Sequence, residues 1–127
     1  LLAQLGLLSR MGATVAAIPC NTAHAAPIFD VIQAGVAGFD RPLRLLHMIR
    51  EVATYMQAQQ PMARRVGVLS TTGTYRTRLY PDILEPLGYE VLVPEPDMQA
   101  TLIQQDIYEP GYGIKDHCKA KRRARAE

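Results

Sequence analysis

Only two cysteines, Cys20 and Cys118, occur in these 127 residues, far apart and with no disulfide-scaffold character, so reduced thiols are expected rather than a bridge. No apolar run reaches the roughly 18 residues that a membrane span needs. The first residues also lack the basic segment, apolar stretch and cleavage site of a secretory signal. The expectation is a cytoplasmic chain with no membrane partner. Large net charge is missing too: the balance is +2, unevenly spread. Residues 115–127 hold six basic and two acidic side chains, whereas residues 1–114 hold eight basic and ten acidic ones. No aromatic side chains interleave with the basic tail of residues 119–127, and its alanines suit a helix, so nucleic acid is not an expected partner. What is there, 48% hydrophobic and 20% charged residues, is ordinary for one modest globular domain and excludes a disordered chain.

Helical and strand periodicities alternate along the sequence. Residues 1–11 read as a helix with Gly12 as its cap, residues 13–18 as a short buried strand, and residues 22–34 as a helix. A loop with two glycines and a proline spans residues 35–42, and helical spacing resumes over residues 43–59 until Pro61. Residues 65–70 form a second short strand, residues 75–87 a helix ending at Gly88, residues 89–93 a third strand and residues 98–108 a last helix. Repeated strand–turn–helix units predict an α/β fold, a parallel sheet with helices on both faces.

Chemistry concentrates at two strand ends. Pro-Cys-Asn-Thr-Ala-His at 19–24 follows the first strand, in the position where open α/β sheets bind ligands and where a starting helix presents free N–H groups. A cysteine there has its thiolate favoured by the helix dipole, and Asn21 and Thr22 add an amide and a hydroxyl suited to a small carboxylate. Taken alone, a free cysteine is more often a packing residue. Ser-Thr-Thr-Gly-Thr at 70–74 ends the second strand with hydroxyls and a glycine that permits close backbone approach. It lacks the Gly-Lys-Ser/Thr ending of a phosphate loop, and its threonines serve equally as helix caps. A metal site at Cys20–His24 or His117–Cys118 is disfavoured, since neither pair assembles three ligands.

The order of Pro-Cys-Asn-Thr-Ala-His (19–24), Leu-Leu-His-Met-Ile (45–49), Val-Gly-Val-Leu-Ser-Thr-Thr-Gly-Thr (66–74), Leu79-Tyr80, Gly88, Pro94, Gln99, Ile107-Tyr108 and Gly-Ile-Lys (113–115) resembles the aspartate/glutamate racemase family over nearly the whole chain. The resemblance implies a cofactor-independent amino-acid racemase of two similar α/β lobes, with the substrate, aspartate or glutamate, between them and a tendency to homodimerise. Two opposed cysteines do the work in such enzymes: one removes the α-proton and the other returns a proton on the opposite face. On this resemblance Cys20 matches the first-lobe base, Asn21 and Thr22 its carboxylate binders, and Thr71 and Thr74 the threonines of the second-lobe loop. Lys115 looks like the lysine placed near the side-chain carboxylate; its alternative is the first charge of a basic helix. His24 and His47 match family positions as packing or hydrogen-bonding residues.

The family's opening Gly-Gly-Met-type loop and following arginine, and its closing Gly-Cys-Thr-Glu motif with the second cysteine, have no match here, and Cys118 in Asp-His-Cys-Lys is no substitute. The expectation is a fragment: the end of the first lobe over residues 1–60 and the start of the second over 61–127, inactive by itself. Other readings remain open: a non-catalytic domain that binds a small carboxylate or phosphate, a partner-bound or degenerate fragment whose basic tail mediates contacts, or a related two-cysteine isomerase such as maleate isomerase or hydantoin racemase.

Overall fold

A computed structural model describes residues 1–115; His117, Cys118 and the basic tail lie outside the described residues. Helix α1 (Leu2–Arg10) opens the chain and gives way at Gly12, whose φ of +99° is a left-handed conformation that glycine adopts without penalty. Strand β1 (Val15–Ala17) follows.

From there the single helix expected over residues 22–34 is interrupted. Asn21–His24 form a 3-10 turn, Ala25 is extended at φ −63° and ψ 134°, and α2 runs over Ala26–Ala37. Pro27 is the reason. In a helix running unbroken from residue 22, Pro27 would remove a backbone bond and press its ring on the Ala23 carbonyl; in the first turn of a new helix it removes nothing.

A second difference is β2 (Arg44–Leu46), which lies inside the segment read as helix from residue 43. Val15, Ala16 and Ala17 pair in parallel with Arg44, Leu45 and Leu46. Leucines at 43, 45 and 46 suit either period, and pairing with β1 decides between them. Helix α3 (Met48–Gln59) starts only after this strand, with His47 as its N-cap: the imidazole accepts the Arg50 amide at 3.4 Å.

Strands β3 (Arg65–Gly67) and β4 (Glu90–Leu92) make a second parallel pair, with Val66 opposite Val91. The expected parallel pairing is therefore present and, among the described residues, divided between two separate two-stranded ribbons rather than one sheet. Between β3 and β4 the helix expected over residues 75–87 is broken into α4 (Thr72–Arg76), α5 (Pro81–Leu84) and a 3-10 turn at Glu85–Leu87. Arg78 with φ +50° and Pro81 mark the break, and Gly88 at φ +88° ends the segment. The helical stretch after β4 comprises α6 (Pro96–Met98), a π turn at Gln99–Ile103 and α7 (Gln104–Tyr108). The fold is thus α/β, with helices and short parallel strands in alternation.

Helices pack on one face of each ribbon. Leu5 of α1 and Ile32 and Val36 of α2 bury Ile18 and Leu43, with Ala16 and Leu45 of the strands against them. Leu84 of α5, Ala53 of α3 and Tyr89 form the second core over Val66 and Val91. Helix α3 ties the ribbons together, since it leaves the first at His47 and sinks Ala53 into the core of the second. Of the alternate strand residues, Val15, Ala17 and Arg44 on one ribbon and Arg65, Gly67, Glu90 and Leu92 on the other are exposed, and Leu46 is half-buried.

Truncating Leu84, 1% exposed, should cost about 2–5 kcal/mol through lost burial and a residual cavity. The same change at Leu69, 74% exposed, should stay within about 0.5 kcal/mol. Urea unfolding of Leu84→Ala and Leu69→Ala checks both.

Candidate functional site

The loop leaving β1 carries Cys20 at its apex. Its backbone is extended (φ −146°, ψ 112°), its N–H donates to the Ile18 carbonyl at 2.8 Å, and the residue is exposed. The 3-10 turn after it, with the break at Ala25, separates Cys20 from α2, so the thiol does not stand at the N-terminus of that helix as expected from the sequence. Asn21 and Thr22, half-buried, stand in the first positions of the turn.

The turn faces the second loop. Thr22 Oγ1 lies 3.4 Å from Thr74 Oγ1, and Thr74 Oγ1 lies 3.4 Å from Thr71 Oγ1, so three hydroxyls from both halves of the chain form a row around the buried Thr74. These spacings are long for O–H···O bonds, which leaves each hydroxyl able to turn to a closer acceptor. Tyr80 donates its phenol O–H to Asn21 Oδ1 at 3.1 Å. Burial raises the Tyr80 pKa, against the opposing pull of the Asn21 bond, so the phenol keeps its proton and remains a donor. A donor there directs the amide oxygen of Asn21 to Tyr80 and leaves the amide NH2 clear of that bond.

Gly73 is not what allows the two loops to approach. A Cβ at this position would meet Thr22 Cγ2 at 3.8 Å, an ordinary contact, so the glycine is not required for closeness. The loop is instead set by two glutamines. Gln99 Nε2 donates to the Ser70 carbonyl at 3.0 Å, and Gln104 Oε1 accepts both the Thr72 N–H and the Thr72 hydroxyl at 2.8 Å. On an α-helix, residues five apart point about 140° away from each other. The π turn between Gln99 and Gln104 has a wider period and brings both onto one loop. Because Gln104 satisfies Thr72, the hydroxyls left over are those of Thr71 and Thr74.

Behind Cys20 stand two buried histidines, 1% and 8% exposed for His24 and His47. The Arg50 N–H donates to His47 Nδ1, which places the His47 proton on Nε2, and Nε2–H donates to the His24 carbonyl at 3.1 Å. His24 Nε2 faces the Ile18 carbonyl at 2.9 Å, so it too carries the proton.

Lys115 stands apart from this group. Its ammonium donates to Tyr108 Oη at 2.8 Å and lies 4.4 Å over that ring. Of the six residues singled out in the sequence, four therefore meet in one place: Thr22, Thr71 and Thr74 in the hydroxyl row and Asn21 beside it through Tyr80. Cys20 adjoins them as an exposed chain neighbour, and Lys115 is bonded to Tyr108 instead. Tyr80 and Gln104 join the site only in the structure. Tyr80 lies within the matching string, but Gln104 carried no signal, because the π turn that aims it has none. Among the described residues no group of three or more His, Cys, Asp or Glu side chains is placed to hold a metal ion, and no helix is long and apolar enough to cross a membrane.

A family model described as Asp/Glu/Hydantoin racemase matches residues 1–126. The chain belongs to this family, which is one of racemases and isomerases acting on small amino-acid or related substrates.

Burial lowers the His47 pKa below its ordinary 6.5, with repulsion from His24 and Arg50 acting in the same direction. Below pH 6.5 the unfolded chain therefore takes up a proton at this position before the folded one does, and stability falls as pH drops from 7.5 toward 5.5. The urea midpoint should decline over that interval, and His47→Gln should flatten the decline. Separately, Gln104→Ala should cost about 1–3 kcal/mol by stripping two donors of Thr72 of their acceptor, and should speed hydrogen exchange of the Thr72 amide.

Proposed function

We propose that this chain carries one half of the site of a cofactor-independent amino-acid racemase, with aspartate or glutamate as substrate and Cys20 as one of two bases. The observation that carries this reading is the row of Thr22, Thr74 and Thr71 hydroxyls, drawn from both halves of the chain, beside an exposed cysteine. Long mutual bonds can be exchanged for shorter, charge-assisted ones to a carboxylate, and the freed NH2 group of Asn21 is a further donor.

The α-proton of a zwitterionic amino acid is weakly acidic, and this reading has no pyridoxal ring to take up the electrons. Donors on the substrate carboxylate compensate by stabilising negative charge as it spreads from the α-carbon onto the carboxylate oxygens. The Cys20 thiolate takes the α-proton on one face and becomes a thiol. A second thiol on the opposite face then delivers its proton to the carbanion, which inverts the centre. This sequence offers one cysteine in a matching motif, so the 127 residues alone bind and deprotonate without inverting. Lys115 serves the side-chain carboxylate in this reading once released from Tyr108.

Alkylation by iodoacetamide at neutral pH, followed residue by residue with mass spectrometry to separate Cys20 from Cys118, is the test. Cys20 should react readily and be protected by L-aspartate or L-glutamate, and the ellipticity of L-aspartate should stay constant in the presence of the chain. Protection by a 5-substituted hydantoin alone would move the substrate within the family. No protection by any of the three would sink the reading. In a full two-cysteine enzyme that contains this segment, Cys20→Ala should abolish racemisation.

A further inference from the structure

We propose that His24 is a positioning residue for Cys20: its imidazole holds the Ile18 carbonyl on which the Cys20 amide also hangs. The proposal rests on the reading of Cys20 as a base. Two donors converge on that one oxygen, His24 Nε2–H at 2.9 Å and Cys20 N–H at 2.8 Å. The Cys20 bond closes a turn of only three residues around Pro19, a bent and individually weak arrangement. A carbonyl gripped from a second side by a buried ring cannot rotate, so the direction in which the backbone leaves β1 toward Cys20 is set.

The ring itself is immobilised. Its centroid lies 5.2 Å from that of Phe29 and 4.8 Å from that of His47, and Phe29 and His47 are 4.6 Å apart. His47 Nε2–H holds the His24 carbonyl, and the Arg50 amide holds His47 Nδ1. A chain of bonds thus runs from the start of α3 to the backbone of Cys20.

Packing alone does not account for a histidine here. His24 Nδ1 is buried with no hydrogen-bond partner among the described residues. A ring that only filled space would be better replaced by an apolar one, since burying an unpaired nitrogen is unfavourable. The cost is offset if the bond from the other nitrogen is needed.

Two measurements test the proposal on the full chain. Long-range proton–nitrogen NMR of the unsubstituted protein should find His24 as the Nε2–H tautomer; the Nδ1–H tautomer would remove the donor and overturn the proposal. In a Cys118→Ala background, the L-aspartate concentration that half-protects Cys20 from iodoacetamide should rise about tenfold in His24→Leu, the worth of one hydrogen bond. It should return to within about twofold of the parent in His24→Gln, whose amide restores a donor. Protection in His24→Leu equal to the parent's, or lost equally in His24→Gln, overturns the positioning role while Cys20 keeps its assignment. Absence of protection in the parent itself removes the assignment of Cys20, and the proposal with it. Should His24→Leu not fold, the tautomer and the glutamine variant still decide.

Discussion

The carbonyl of Ile18 is where β1 stops being a strand, and the two donors it accepts govern most of the loop architecture around Cys20. With that oxygen committed to His24 and Cys20, the next residues turn immediately into the 3-10 segment Asn21–His24 instead of continuing outward. The turn then has one direction in which to present Asn21 and Thr22, toward Tyr80 and Thr74 of the other half. Pro27 enforces the same outcome from the far side, because a helix cannot run backward through it to absorb the turn. One crowded carbonyl and one proline thus hold Cys20 out at the surface while its neighbours are drawn inward.

The second loop is held in a different way for a similar end. Ser70 and Thr72 are gripped from outside by Gln99 and Gln104, and it is a π turn that brings two side chains five residues apart to bear on the same stretch. Among the described residues each ribbon has two strands and each core is a small cluster, so apolar packing alone would leave these loops loosely defined. Buried polar bonds supply what the cores do not: they contribute modest net stability, but each has a strong directional preference. The hydroxyl row between the halves is the reverse case. Its spacings are long, so it is positioned by its surroundings and remains open to a better partner.

Membership in the Asp/Glu/Hydantoin racemase family gives this arrangement a chemical context. Removing a weakly acidic α-proton without an electron sink requires a base held in a fixed place and donors waiting where charge will develop. In the function proposed above, the cysteine loop anchored through Ile18 and the row of under-committed hydroxyls are what this chain brings to those two conditions on one face of a substrate.

Much of this was legible in the chain itself. The α/β alternation, the turn glycines at 12 and 88 with their positive φ, and the polar strings at the ends of β1 and β3 all follow from local rules: side-chain period, backbone freedom at glycine and the chemistry of helix starts. Other features were not legible. The leucines at 43, 45 and 46 fit a helix as well as a strand, and only a partner strand at hydrogen-bonding distance chose between them. The resemblance offers Lys115 as a ligand for a side-chain carboxylate, and nothing in the sequence shows that its ammonium rests on the ring seven residues earlier. The division into two ribbons, the aim of Gln104 and the grip of His24 on Ile18 depend on contacts between distant residues. The sequence by itself determined which chemical groups are present and on what kind of element each sits, because those are properties of short segments. Which of those groups meet was decided only by tertiary structure, because the bonds that orient them join residues that local periodicity does not connect.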